Sequence, residues 1–250
     1  MTPRMTCATQ PASPATKPMF SRILTSALFA GAAAGLIVAL LQLVFVQPVL
    51  LHAELYESGE LVHFGAEAVS AHPELPGMFS DLTRDGLSVV FTMLTYTGYA
   101  LVLVALMSLA EAQGHPVDGR TGVLWGLAGF IAFHLAPGFT LAPEVPGVAA
   151  ADVFARQIWW WATVAAAGVA MWLIAFGGNI VSYLVAAVLL MAPHLIGAPE
   201  PDVFTGPVPT EIGALFAARA FGVGLVAWVL LGSFAGYFWQ NEGKRVEAAA

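Results

Sequence analysis

The sequence predicts an all-α integral membrane protein of about six transmembrane helices arranged as three related hairpins. Three observations carry this. Hydrophobic residues make up 58% of the 250, charged residues only 10%, and mean hydropathy is +0.78. A soluble domain carries about 25% charged residues and needs them to cover its water-facing surface. Uncharged apolar stretches long enough to cross a bilayer recur along the chain, at about 20 residues per span. The connections between them share a motif.

The spans follow from the runs free of Asp, Glu, Lys and Arg. Ile23–Ala53, Leu87–Ala110, Thr121–Pro143 and Ala220–Asn241 each pass, and Gln157–Pro199 runs 43 residues without such a charge. Gly177-Gly178-Asn179 near its middle is turn chemistry and divides it in two. The predicted spans lie near 23–51, 87–110, 121–141, 157–176, 180–197 and 220–240, within a membrane domain over 19–241. The first apolar run is too long for a signal-peptide core and is expected to stay uncleaved. Residues 1–18, with Pro3, Pro11, Pro14 and Pro18, read as a disordered cytoplasmic tail or an upstream start. Residues 242–250 read as a second cytoplasmic tail.

Six spans place both termini on one side. That side holds Arg4, Lys17, Arg22, Arg120, Lys244 and Arg245, six of nine basic residues, which makes it cytoplasmic in a cell inner (plasma) membrane. Twelve of sixteen acids fall on the other side. Such a field concentrates cations at the outer mouth, though acids in solvated loops give the same count.

The outer connections repeat. His72-Pro73-Glu74-Leu75-Pro76-Gly77 precedes Asp81 and Arg84. Ala142-Pro143-Glu144-Val145-Pro146-Gly147 precedes Asp152 and Arg156. Ala198-Pro199-Glu200-Pro201-Asp202 precedes Glu211 and Arg219. Proline ends the outgoing helix, and the arginine snorkels or pairs with an acid where the next begins. Gly31–Gly35, Gly122–Gly126 and Gly232–Gly236 are GxxxG pairs that favour close helix contact.

The chemistry-bearing candidates are histidines. His134 and His194 lie about 20 Å and 22 Å up the third and fifth spans at 1.5 Å per residue, so they are expected at similar depth. Each neighbours a proline, Pro137 and Pro193. An intramembrane histidine either serves a ligand or bonds a neighbouring helix. His52, Glu54 and Glu57 close the first span at the same mouth, and His72 lies in the loop beyond. Imidazole with carboxylate suits divalent Co, Ni and Zn. The expected metal-binding set is His134, His194, Glu54 and Glu144, with His52, Glu57, His72 and Glu200 around it. Cys7 stands alone, which excludes a disulfide or a Cys-rich metal site. A net charge of −7 argues against nucleic acid. No P-loop, Rossmann fingerprint or H-E-x-x-H occurs, and an enzyme is not expected.

Several blocks together resemble the CbtA family of predicted cobalt transporter subunits. They are Met19-Phe20-Ser21-Arg22, Leu41-Gln42 through Pro48 to Glu57, and Gly122-Val-Leu-Trp125-Gly126 through Phe130 to Pro137. Pro143-Glu144-Val-Pro146-Gly147 through Asp152, Arg156 and Trp160, and Ala192-Pro193-His194 to Pro199 complete them. The resemblance covers nearly everything from Met19 to about Tyr237. It implies Co²⁺ uptake linked to cobalamin supply, a small single-span CbtB-like partner, and no permanent cofactor, with Co²⁺ as substrate. Two other readings stay open at this point. His134 and His194 could ligate one b-type haem in an electron-transfer subunit, or the chain could be a non-transporting scaffold or sensor.

Overall fold

The computed structural model describes residues 19–63 and 81–248. The 1–18 tail and the loop carrying His72 and its Pro-Glu motif lie outside them. The elements are α1 (Met19–Phe45), α2 (Gln47–Glu57), α3 (Leu82–Ala112) and α4 (Gly119–Phe130), then a π turn (Ile131–Leu135). After it come α5 (Ala136–Thr140), α6 (Val153–Phe176), α7 (Ile180–Ile196) and α8 (Thr210–Ala248). All described regular structure is helical.

Among the described residues, five helical runs are long and apolar enough to cross a membrane. The sixth expected span, α7, has 17 residues, about 25 Å of helix against a core of about 30 Å. The first span breaks at Val46, where Pro48 enters the first turn of α2. Proline fits that position because its missing N–H would be unsatisfied there anyway. Side-chain caps from Asp81, Asp118, Asp152 and Asn179 start α3, α4, α6 and α7. Asp118 and Thr121 form a reciprocal capping box. The Asp118 carboxyl is held below its usual range, chiefly by the backbone N–H of Thr121, so it stays an acceptor at neutral pH.

Successive spans run antiparallel, as the cross-contacts show. Near the chain ends, Arg22 of α1 meets Glu111 of α3 and Trp239 of α8. At the opposite, loop end, Arg219 of α8 donates to the Phe45 carbonyl at 2.9 Å, and Gln47 donates to Asp85 of α3 at 2.7 Å. The main core joins α1, α3, α4 and α8 through Val38, Val104, Met107, Trp228, Leu231 and Trp239.

The pairing in space differs from three sequential hairpins. α1 packs on α3, α4 on α8, and α6 on α7, while α7 and α8 do not pack against each other. Glycines decide this. A Cβ on Gly122 would overlap the Gly232 carbonyl oxygen, one on Gly126 the Trp228 carbonyl oxygen, and one on Gly236 the Asp118 carbonyl oxygen. The α4 and α8 backbones touch along that seam, so the last span joins the third rather than the fifth. Gly31 and Gly35 do the same against Thr97 and Met93 of α3.

Arg22 is the strongest polar staple at the chain-end side. Its Nη1 lies 3.0 Å from Glu111 Oε2, its Nη2 donates to the Trp239 carbonyl at 2.9 Å, and its guanidinium carbon sits 3.6 Å above the Trp239 ring. Arg22→Ala is expected to destabilise the protein by about 2 kcal/mol, summing one charged hydrogen bond and one cation–π contact and allowing little for the half-exposed carboxylate. Arg22→Lys should recover only part, because an ammonium cannot stack and fork together. Thermal unfolding of the detergent-solubilised variants measures this, and an unchanged midpoint for Arg22→Ala would refute it.

Candidate functional site

At the loop end, α2 and the two connections 141–152 and 197–209 form a small cap. Ala53, Tyr56, Val145 and Val208 are its buried centre, and Ala149 N–H donates to the Thr205 carbonyl at 2.8 Å. Two of the three Pro-Glu connections are therefore tied to each other. Gly147, at φ +79°, lies beside the Glu57 side chain. A left-handed residue is needed there, and a Cβ would crowd Glu57. The expected ligand carboxylates occupy this cap, but not as a cluster. Glu144 Oε2 is engaged by Arg156 Nη2 at 2.7 Å. Glu54, Glu57 and Glu200 are exposed. His52 lies tilted against the Tyr56 ring, 5.5 Å between centroids, and His72 lies outside the described residues.

The three repeated arginines serve three ends. Arg156 pairs with Glu144 across its own connection. Arg219 caps Phe45 on another helix. Arg84 Nε pairs at 2.9 Å with Asp85, which is 2% exposed. Asp85 also accepts from Gln47, and one level deeper Thr92 Oγ1 donates to Gln42 Oε1 at 3.0 Å. This polar seam between the first span and α3 was not foreseen. Counting Asp85 with the loop acids hid it. Its place inside the first turn of α3, directly after Arg84, was the available signal.

His194 projects from the last turn of α7. Its Nδ1 is 3.1 Å from Thr140 Oγ1, and Phe139 and Trp159 stand around the ring at 5.2 Å and 6.3 Å. Pro193 shapes this turn: its carbonyl accepts from Trp159 Nε1 at 3.3 Å and from Gly197 N–H at 3.1 Å. When Nδ1–H donates to Thr140, the Nε2 lone pair is available to a cation. This is the arrangement by which second partners orient ligating imidazoles.

His134 sits in the π turn. Such turns interrupt the i→i−4 ladder and recur at functional sites. Its Nδ1 accepts from Trp228 Nε1 of α8 at 3.0 Å. Its ring stacks on Phe130 at 6.0 Å and meets Trp228 edge-on at 6.2 Å. Trp228 is 2% exposed and was missed in the sequence. A tryptophan far from either end of a span, where interfacial belts cannot explain it, was the overlooked signal.

The two histidines are not level. His194 is beside Thr140, six residues beyond His134 on the same helical run, or about 9 Å along the axis. The cause is a displaced hairpin. Phe176, at the α6–α7 turn, contacts Trp125 at 5.9 Å, about 9 Å along α4 from its first residue. The turn does not sit level with the start of α4. Among the described residues, no three His, Cys, Asp or Glu side chains converge as a metal-holding group. The expected single site of His134, His194, Glu54 and Glu144 is not assembled in this state.

Between α3, α4 and α6 lies an apolar cavity of about 480 Å³, walled by Tyr99, Leu103, Trp125, Phe133, Trp172 and Phe176.

The model of the probable cobalt transporter subunit (CbtA) family matches residues 20–240. The chain belongs to the CbtA family. Neither a curated relative nor a solved structure matches it. As a CbtA member with five long apolar helices, it is a multi-pass membrane protein of a cobalt transporter family.

Proposed function

We propose that this CbtA chain is the spanning subunit of a Co²⁺ uptake system in the cell inner membrane. Both termini are cytoplasmic, a small single-span CbtB-like subunit is its partner, and the cobalt serves cobalamin supply. The observation that carries this reading is the CbtA match over residues 20–240. The basic-residue asymmetry supports the orientation. The apolar cavity beside α3, α4 and α6 offers a partner helix or lipid an apolar face.

The ligand arrangement favours handover rather than one cage. Exposed carboxylates at the loop end, Glu54, Glu57 and Glu200 among them, draw the hydrated cation to the mouth. Glu144, held by Arg156 through Oε2, offers its other oxygen to the cation. His194, oriented by Thr140, offers the first imidazole. His134, about 9 Å deeper, offers the next. Replacing water stepwise by one or two ligands at a time lets the ion enter without being trapped. No resident cofactor is needed.

The test is ⁵⁷Co²⁺ uptake in cells depleted of their own cobalt importers, with and without this chain and with and without a single-span partner. Uptake is expected to require the chain. Equal uptake in its absence would sink the transport reading and favour a scaffold or sensor.

A further inference from the structure

The Trp228–His134 bond has a chemical consequence that bears on when the ion can pass. An indole N–H is only ever a donor. With Trp228 Nε1 at 3.0 Å from His134 Nδ1, that nitrogen must carry its lone pair inward. The proton of the neutral ring is then on Nε2. A metal at Nε2 needs that lone pair free and the proton on Nδ1, where it would face another donor. A metal at Nδ1 finds Trp228 in its place. In this state neither nitrogen of His134 can ligate.

We propose that Trp228 is a positioning residue that holds His134 as the Nε2–H tautomer and so keeps it from binding the ion until their hydrogen bond is broken. This rests on the transport reading and adds a gate to it. His194, whose Nδ1 faces a hydroxyl that accepts as well as donates, carries no such lock. The outer imidazole is thus ready and the inner one closed.

The surroundings say which side moves. Trp228 is wedged between Tyr99 and Phe133, both at 5.2 Å between centroids. Its backbone lies against Gly126, and its six-membered ring occupies the space a Cβ on Gly129 would take. His134 is in the π turn, whose extra residue gives the backbone slack. Returning that turn to α geometry shifts register by one residue and swings the imidazole by about 100°, off the indole nitrogen. On its far side the ring meets Gly224, where a Cβ would lie 2.8 Å from His134 Cδ2 and 3.2 Å from Nε2. The missing side chain leaves the ring room to turn.

The test uses the full chain in lipid nanodiscs with ¹⁵N-labelled histidine, and Co²⁺ alone as the binding probe. The wild type should show His134 as one tautomer, protonated on Nε2. Trp228→Phe, which keeps a ring but removes the donor, should give a mixture. It should also bind Co²⁺ about five- to tenfold more tightly, the worth of one lost hydrogen bond. That gain should vanish in Trp228→Phe/His134→Gln. A wild-type ring protonated on Nδ1 overturns the proposal, and this measurement needs no variant to fold. A mixed tautomer with unchanged Co²⁺ affinity overturns the gate. A locked tautomer in a chain that leaves cellular cobalt uptake unaltered supports the lock and sinks the transport reading instead.

Discussion

Gly126→Leu is expected to yield almost no monodisperse protein from the membrane, while Gly98→Leu behaves as the parent. The two glycines look alike in sequence, each inside an apolar helix. In space they are opposites. A Cβ at Gly126 would overlap the Trp228 carbonyl oxygen and stand 3.1 Å from Val229 Cα, whereas a Cβ at Gly98 meets nothing within 4 Å. The obstructing atoms at Gly126 are backbone, so no rotamer can relieve them and α4 must move bodily off α8. Overpacking costs about 1–3 kcal/mol even where side chains can shift. At the upper end this changes the folded ratio by over about 100-fold. The damage should also reach the Trp228–His134 bond, because Trp228 is the residue displaced. Size-exclusion profiles and thermal midpoints of the two variants decide it. Equal behaviour would mean that the α4–α8 seam is not backbone-tight.

The second large effect belongs to the histidines. His194→Gln and His134→Gln are each expected to lower Co²⁺ uptake at least about tenfold at normal membrane abundance. Altering only the partners of a metal ligand costs about 10–100-fold, and losing the imidazole should cost no less. Glutamine is the informative replacement. Its amide can still bond Thr140 from position 194 and can accept from Trp228 at position 134. Folding should therefore survive while the nitrogen ligand is gone. His115→Gln provides the contrast: His115 packs against Phe176 at 4.6 Å beside the α6–α7 turn, far from the proposed route. If both variants carry cobalt normally at normal abundance, the histidines only pack, even in a working transporter.

Much of the architecture could be read in the chain. Apolar run length anticipated the five long apolar helices and the shorter α7, because backbone groups in lipid must be satisfied internally and helices do this. Gly177-Gly178-Asn179 marked a real interruption, whereas the break at Val46 falls inside a run read as one span. The GxxxG pairs marked real backbone contacts, but not their partners: nothing local says that Gly232 meets Gly122 rather than α7. Depth was illegible for a related reason. Counting residues from a span's start fixes distance along one helix, but not where the α6–α7 hairpin sits relative to α4. That offset is set by Phe176 docking on Trp125 and Trp172. The π turn escaped because it needs no special residue beyond nearby Pro137. Trp228 escaped because a hydropathy reading counts it as one more apolar side chain.

The seam between α4 and α8 also orders events at the ribosome. Residues that complete the core, Trp228, Leu231 and Trp239 among them, lie on α8 and are made after every other helix of that core. At about 5–20 residues per second, the stretch between the end of α5 and the middle of α8 takes roughly 5–20 s to emerge. During that interval the glycine face of α4 has no mate, and α1 and α3 have each other but not the helix their shared groove receives. Lipid, an insertion factor or a neighbouring nascent chain must cover these faces until α8 arrives. A chain stopped before position 210 would be inserted yet unfinished, and this is the species a membrane quality-control protease should recognise first.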